Sequence, residues 1–313
     1  MRTVFMGTAD FAVPSLKKIV NAGHQVDAVI TQPDRPKGRG QKVQPSPVKA
    51  AALDLGLVVF QPESIKDPEA QFFLQKLAPE LIVVVAYGQI LPASILDLPP
   101  FGCINLHASL LPAYRGAAPI HWAIINGEEE TGVSTMYMAR SMDSGDVILQ
   151  KRVPIEPQDT AGTLHDKLAE KGAELLIQTL ELLARGSAPR FAQDESKATY
   201  APQLTREHEE IDWSKSNREL ANLIRGMNPW PGAYTTYKGK VLKILEAESL
   251  EKPEYARAGA ILSLDKNRGF VVQCGRGALL ITKVKPQGKQ AMEAAAFCRG
   301  YNVEPGIVLG SRE

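Results

Sequence analysis

Short, continuously apolar segments separated by helical patterns dominate the first 126 residues. RTVFM (2–6) precedes a helical pattern near 10–22, and QVDAVI (25–30) precedes a polar loop and a helix near 47–55. LVVF (57–60) precedes a helix near 67–77, and LIVVVA (81–86) runs into YGQILP. CINLH (103–107) leads through a loop to a helix near 117–126. A strand that is apolar at every position must be covered on both faces, and strands separated by helices join in parallel through crossovers. The alternation predicts an α/β domain built on a doubly wound, mostly parallel sheet. Ser46-Pro47 fits a helix start, with Ser as N-cap and Pro at the first helical position. GVSTMYMA (132–139) and VILQKRVPI (147–155) lie close enough to pair antiparallel at the sheet's edge. A long helix over about 161–184 then completes a first domain set at 1–189.

Residues 186–206 are polar and lack a sustained period, so 190–206 is read as a linker. Beyond it come a short helix near 215–226, NPWPGAYT (228–235), and strands near 233–237, 240–246, 259–264, 270–273 and 278–285. Short strands with Gly-rich turns predict a small β-barrel over 207–313. A hydrophobic content of 44% and a charged content of 23% are ordinary globular values and set disorder aside. No apolar run reaches the ~18–20 residues needed to cross a bilayer. MRTVFMGTADF reads as a strand and a turn, not a signal peptide. The three cysteines, Cys103, Cys274 and Cys298, form no CxxC pair, which suits a reducing compartment, so a cytoplasmic location is expected. Net charge is +1, but it is unevenly placed: residues 206–313 hold 17 basic and 13 acidic side chains, +4, and the remainder carries −3. A polyanionic partner would favour that asymmetry, and a charge scatter without meaning would also produce it.

The strongest local signal is INLHASLLPAYRGAAP (104–119). Asn105 and His107 lie two apart at the end of a predicted strand, so both side chains leave one face. In open parallel sheets ligands bind in the crevice beyond the C-terminal strand ends. Polar groups there cost roughly 1–3 kcal/mol each if buried without partners, so the pair is either a structural hydrogen-bond knot or part of a site. A second cluster is SMDSGD (141–146), where Asp143 and Asp146 flank a Ser-Gly turn. Asp146 is read as an Asx-turn residue. Brought to the end of the INLH strand, Asp143 would complete a set of amide, imidazole and carboxylate suited to acyl transfer to an amine. The carboxylate would orient the imidazole and take the ammonium proton, while amide and imidazolium stabilise the oxyanion.

LHASLLPAYRGAAP followed by MDSGDVI resembles the folate-dependent formyltransferase family over residues 1–185 or so. The resemblance implies a Rossmann-like sheet domain with Asn105, His107 and Asp143 as catalytic residues and 10-formyltetrahydrofolate as co-substrate, with no metal. It gives Ser109, Leu110, Leu111 and Pro112 to the folate site. It places the pterin among the loops at 86–91 and 139–144, with Tyr87, Gly88, Gln89 and Ile90 as contacts. The family includes glycinamide ribonucleotide, nucleotide-sugar and methionyl-tRNA formyltransferases.

Three features lean toward the branch acting on methionyl initiator tRNA. GTADFAVPSL (7–16) opens the chain without the glycine-richer turn of the glycinamide ribonucleotide branch. QPDRPKGRGQKVQPSPVK (32–49) is a basic loop of almost no apolar content, able to follow a nucleic-acid backbone or to stand as a solvated surface loop. It resembles the insertion that reaches the tRNA acceptor end, with Arg35, Lys37, Arg39 and Lys42 as contacts. The second domain resembles the family's OB-like, tRNA-contacting barrel, a feature shared with nucleotide-sugar formyltransferases, which remain the alternative. A monomer is expected. MGTADF lacks the G-x-G-x-x-G fingerprint, so Gly7 is read as a tight-turn residue. His24, His121, His165 and His208 have no metal-ligand spacing and are read as structural. Trp122, Trp213 and Trp230 are read as packing residues.

Overall fold

The computed structural model describes residues 1–37, 42–251 and 256–311. They form two compact units, the first of residues 1–119, 130–154 and 165–201, the second of 120–129, 155–164 and 202–313.

In the first unit the apolar runs form strands. In chain order come β1 (Arg2–Gly7), α1 (Val13–Asn21), β2 (Gln25–Ile30), β3 (Arg35–Lys37), β4 (Lys42–Gln44), α2 (Pro47–Asp54) and β5 (Val59–Phe60). Then follow α3 (Pro68–Leu77), β6 (Leu81–Val85), α4 (Ala93–Leu96), β7 (Cys103–His107), α5 (Pro119–Ile125), β8 (Glu130–Tyr137), β9 (Val147–Pro154) and α6 (Ala161–Ala184). The main sheet runs β5-β2-β1-β6-β7-β8-β9. Its first five strands are parallel, and β8 and β9 add antiparallel at the edge. Every residue of β6 is buried, as expected of a strand covered on both faces. Val4, Met6, Ile30, Leu74, Ile82 and Val84 pack together on one side. The α2 start forms as read: the Ser46 hydroxyl accepts the Lys49 N–H at 3.0 Å, and Pro47 opens the helix.

The strand order turns back on itself between β1 and β6, which makes that junction the crevice of the sheet. There the Thr8 N–H donates to the Ala86 carbonyl at 3.1 Å, and the Thr8 hydroxyl donates to the Tyr87 carbonyl at 2.8 Å. β7 ends beside this junction, and its last residue is His107.

Two segments differ from the sequence expectation. The basic loop is not wholly irregular: β3 and β4 pair as an antiparallel ribbon, Arg35 opposite Gln44 and Lys37 opposite Lys42. Its base is anchored by Asp34, which accepts from Lys49 at 2.5 Å and from Gln61 at 2.8 Å. The stretch read as linker is not free chain over its first half. Phe191 exchanges backbone hydrogen bonds with Val147 on β9, and Tyr200 forms a parallel bridge to Arg115. Its hydrogen-bonding partners, Val147 on β9 and Arg115, lie far upstream, where no local pattern announces them.

The second unit contains α7 (Arg206–Glu209), α8 (Asn217–Gly226), β10 (Tyr234–Tyr237), β11 (Lys240–Leu250), β12 (Ile261–Asp265), β13 (Gly269–Gln273), β14 (Ala278–Pro286), β15 (Met292–Glu293) and α9 (Ala294–Tyr301). Ser216 and Glu219 make a reciprocal capping box at the start of α8. The antiparallel sheet runs β10-β11-β14-β13-β12, with β15 beside β14. The C-terminal stretch stitches its two edges: Gly310 N–H donates to Thr236 on β10, while Leu309 N–H donates to Gly259, just before β12. A barrel-like domain results, filled by Phe270, Phe297, Ile244, Leu279 and Ile281. Helix α9, which the sequence reading did not place, supplies Phe297 to that core. Trp213 is buried and donates to Thr235 at 3.0 Å, whereas Trp230 is 72% exposed, so its reading as a packing residue does not hold. Among the described residues no helix is long and apolar enough to cross a membrane.

Candidate functional site

The site is assembled at the C-terminal end of β7 by three stretches distant in sequence. His107 ends the strand and is 6% exposed. Its Nε2 lies 2.9 Å from the Tyr114 carbonyl oxygen. A carbonyl only accepts, so Nε2 carries the hydrogen and Nδ1 is left as the atom that can exchange a proton. Nδ1 faces the Asp143 carboxylate, with Oδ2 3.7 Å away. The same Oδ2 accepts the Gly116 N–H at 2.9 Å. The structure thus brings His107 and Asp143 together. Asn105, two residues before His107 on β7, is half-buried, and its side chain makes no hydrogen bond among the described residues.

Local geometry explains the residue choices around this pair. Asp143 sits in the left-handed region at φ +51°, a conformation that Asp tolerates better than most residues. A Cβ at Gly145 would fall 1.8 Å from the Tyr137 carbonyl oxygen, so the turn joining β8 to β9 closes only with glycine there. Gly116 has φ +124°, and a Cβ on it would meet the Ala201 carbonyl oxygen at 2.6 Å. Asp146 does not make the expected Asx-turn. Its carboxylate faces Arg190 at 3.5 Å, and the Arg190 guanidinium lies over the Tyr137 ring.

The other expected contacts are placed unevenly. Ser109 is buried, and its hydroxyl donates to the Ala113 carbonyl at 2.6 Å. Leu111 is buried, its N–H bonded to Ser134 and its carbonyl to Gln150. Leu110 lies against Gly132, and the Leu111–Pro112 bond is cis. The Tyr87 side chain points into the core beside Leu91 and Ile95, where burial pushes its hydroxyl up to about 12. The Gln89 side chain bonds Ile65 N–H and the Glu63 carbonyl. Gly88 adopts φ +89°, and Ile90 is 69% exposed. What the 86–91 loop leaves for a ligand is therefore the backbone of 88–90 and the apolar Ile90 side chain. Met142, in the 139–144 loop, is likewise exposed.

Arg35 is exposed on the ribbon, and Lys37 and Lys42 are backbone partners across it, while Arg39 lies outside the described residues. Three of the scattered histidines make protein hydrogen bonds: His121 to the distant Gly226 carbonyl, and His165 and His208 to the nearby Asp166 and Thr205. Among the described residues no three His, Cys, Asp or Glu side chains converge as a metal site requires. Sequence reading missed the backbone of Tyr114 and Gly116, which touches both members of the pair. The signal was present in the YRG that closes the motif, since its glycine is the residue the close approach to Ala201 demands.

A histidine–carboxylate pair at the crevice of a doubly wound sheet is an arrangement able to move protons at a bound substrate, as an enzyme of the α/β class requires. The chain belongs to the formyl transferase family: the formyl transferase model matches residues 1–180, and the model of the formyl transferase C-terminal domain matches residues 203–302. The methionyl-tRNA formyltransferase of Moorella thermoacetica is 57% identical over 310 residues, covering 99% of each chain. That of Pelotomaculum thermopropionicum is 55% identical over 311 residues, again 99% of each. Among solved structures, a sugar 3N-formyl transferase, WlaRD, crystallised with dTDP and 5-N-formyl-THF, superposes with a TM-score of 0.68 at 19% identity over 93% of this chain and 99% of its own. Aquifex aeolicus HypX in complex with tetrahydrofolic acid gives a TM-score of 0.65 at 18% identity, over 95% of this chain and 47% of its own. At those identities the solved structures speak for the fold alone.

Proposed function

We propose that this chain moves the formyl group of 10-formyltetrahydrofolate onto the α-amino group of methionyl initiator tRNA. The observation that carries the chemistry is His107 Nδ1 facing the Asp143 carboxylate at 3.7 Å, with Nε2 tied to a backbone carbonyl. The methionyl ammonium gives its proton to Asp143, directly or through a water, and the free amine attacks the formyl carbon on N10. The new C–N bond pushes the carbonyl electrons onto oxygen. Asn105 and an Nδ1–H on His107 donate to that oxyanion; collapse breaks the bond to N10, which takes the Nδ1 proton as it leaves, and the new amide nitrogen returns its surplus proton to Nδ1. No side-chain nucleophile enters, since the amine attacks directly.

Support for the folate side comes from the backbone of 88–90, which makes no backbone hydrogen bond among the described residues, and from the exposed apolar Ile90 and Met142, which suit the edges and faces of a pterin. Support for tRNA comes from the basic ribbon and from the second unit. There a pocket of about 340 Å³ has Tyr237, Phe297 and Tyr301 in its walls and Lys238, Lys240 and Lys289 around it. None of those lysines is in an ion pair among the described residues, and no acidic side chain lines the pocket. Full-length similarity to methionyl-tRNA formyltransferases at 47–57% identity favours the same acceptor. The deciding experiment offers the protein 10-formyltetrahydrofolate with either charged initiator tRNA or an amino-sugar nucleotide. Formylmethionyl-tRNA as product supports the reading, and formylation of the sugar alone overturns it.

A further inference from the structure

Asp143 holds a left-handed backbone conformation, φ +51°, and two sets of neighbours fix it there. One constraint is the Gly116 N–H on its carboxylate. The other comes from Gln193, whose Nε2 donates to the backbone carbonyls of Asp143 and Gly145 at 2.8 and 2.7 Å. The Gln193 amide can face only one way. Its Oε1 receives Arg115 Nε at 3.1 Å and Nη2 at 2.8 Å, which leaves the NH₂ group for the two carbonyls. The far edge of the Arg115 guanidinium forks onto Glu195, at 2.9 Å from Nη1 and 2.8 Å from Nη2.

The Arg115 side chain is only 3% exposed. A buried guanidinium is tolerated when its donors are filled with good geometry, and here both edges are. The backbone of the same short stretch touches both members of the reactive pair, Tyr114 through its carbonyl on His107 and Gly116 through its N–H on Asp143. It is pinned in turn by Arg115 N–H on the Thr199 carbonyl, Ala201 N–H on the Arg115 carbonyl, and Tyr114 N–H on the Thr199 hydroxyl.

We infer that Arg115, Gln193 and Glu195 are positioning residues for formyl transfer, a brace centred on the buried Arg115 guanidinium and closed on its outer side by the exposed Glu195, which fixes the 143–145 turn so that the Asp143 carboxylate faces His107. This inference rests on the assignment of Asp143 to the reaction. The bland alternative is that the brace merely fastens residues 190–201 to the first unit. The two differ in which atoms of Gln193 matter. Fastening needs only an acceptor for Arg115, which a glutamate supplies. Positioning needs the NH₂ donors, which a glutamate lacks.

The test compares kcat, KM for 10-formyltetrahydrofolate and the thermal unfolding midpoint in Gln193→Ala, Gln193→Glu, Asp143→Asn and the double variant Gln193→Ala/Asp143→Asn, all in the full chain. A misplacement of about 1 Å in a reacting group costs on the order of 10²-fold. Both Gln193 variants should therefore lose about 10- to 100-fold in kcat, with KM and the unfolding midpoint close to wild type. In the Asp143→Asn background, Gln193→Ala should cost almost nothing further, because residues acting through one another are not additive. Wild-type kcat in Gln193→Glu, or failure of both Gln193 variants to fold, would show a fastening role and overturn the inference. So would full additivity in the double variant. Wild-type activity in Asp143→Asn would instead remove the catalytic assignment on which the brace depends.

Discussion

Loss of His107 or of Asp143 should cost activity and leave folding intact. Neither is part of a packed apolar cluster, and each is held by one or two hydrogen bonds, so folding should survive substitution. His107→Ala or Asp143→Asn should lower turnover by ~10²–10⁴, the range for removing a proton-transfer group or an oxyanion donor. Wild-type rates in His107→Ala would take that residue out of the site. Tyr87 makes the opposite prediction. Its hydroxyl is buried with no hydrogen-bond partner among the described residues. Removing it by Tyr87→Phe keeps the ring and relieves a desolvated group, so stability should hold or rise by up to ~1–3 kcal/mol. A denaturant titration showing a clear loss would mean the hydroxyl has a partner. The thiols report burial through pH. Burial pushes Cys103 and Cys274 up to about 12 and Cys298 up to about 11. The unfolded chain would ionise these thiols near pH 8.5. Above that the folded state binds more protons than the unfolded one, so stability is lost as pH rises from about 9 toward 11–12. Below pH 8 these groups contribute no slope. Native protein at pH 8 should resist alkylation, with half-buried Cys298 labelled first, and unfolded protein should label at all three positions.

At the scale of elements, periodicity carried most of the fold. β2 and β7 lie where the apolar runs put them, and α6 covers the residues its pattern marked. These elements are set by which faces are buried, and burial is written in the spacing of apolar residues. Elements not written in the spacing of apolar residues were not legible. The β3–β4 ribbon has almost no apolar content, and residues 190–201 are ordered by bonds to 115 and 147. Helix α9 follows a two-residue strand, and its Ala-rich opening carries no recognised cap, since Glu293 accepts no side-chain capping bond. The site was legible to the same degree. Side chains at a strand end and in a turn could be named, but the backbone donors and acceptors of 114–116 could not. The turn of MDSGD shows how tightly an element controls the site. With Gly145 only 1.8 Å from the Tyr137 carbonyl at its Cβ position, Gly145→Ala must push the β8–β9 turn outward and carry Asp143 with it. We expect a loss of about 1–3 kcal/mol in stability and a fall in kcat of about 10²-fold or more. A soluble, folded Gly145→Ala variant with normal turnover would show that the turn can move without disturbing Asp143.

On the scale of the whole molecule, charge is distributed so that catalysis and tRNA capture can be separated by experiment. The His107–Asp143 pair proposed for the reaction lies at the end of β7, while the basic side chains proposed for tRNA belong to the 35–42 segment and the pocket at Tyr237. Asp34 keeps its charge at the base of that segment, because Lys49 beside it holds its carboxyl below the usual range. Contacts to phosphates release counterions, so tRNA binding should weaken as salt rises, with a log–log slope of about −0.9 per phosphate neutralised. Arg39→Ala should lower the magnitude of that slope by about 0.9, or somewhat less on single-stranded segments. It should also slow formylation of charged tRNA, and leave folate binding as it was. Lys238→Ala/Lys289→Ala in the second unit should reduce the slope as well, each phosphate contact removed taking its own share. Binding titrations between 50 and 200 mM salt, roughly the range over which phosphate contacts dominate affinity, separate these contributions. If deleting residues 35–42 leaves both tRNA formylation and its salt dependence unchanged, the segment has no part in substrate capture. The nucleotide-sugar acceptor would then be the one to test first.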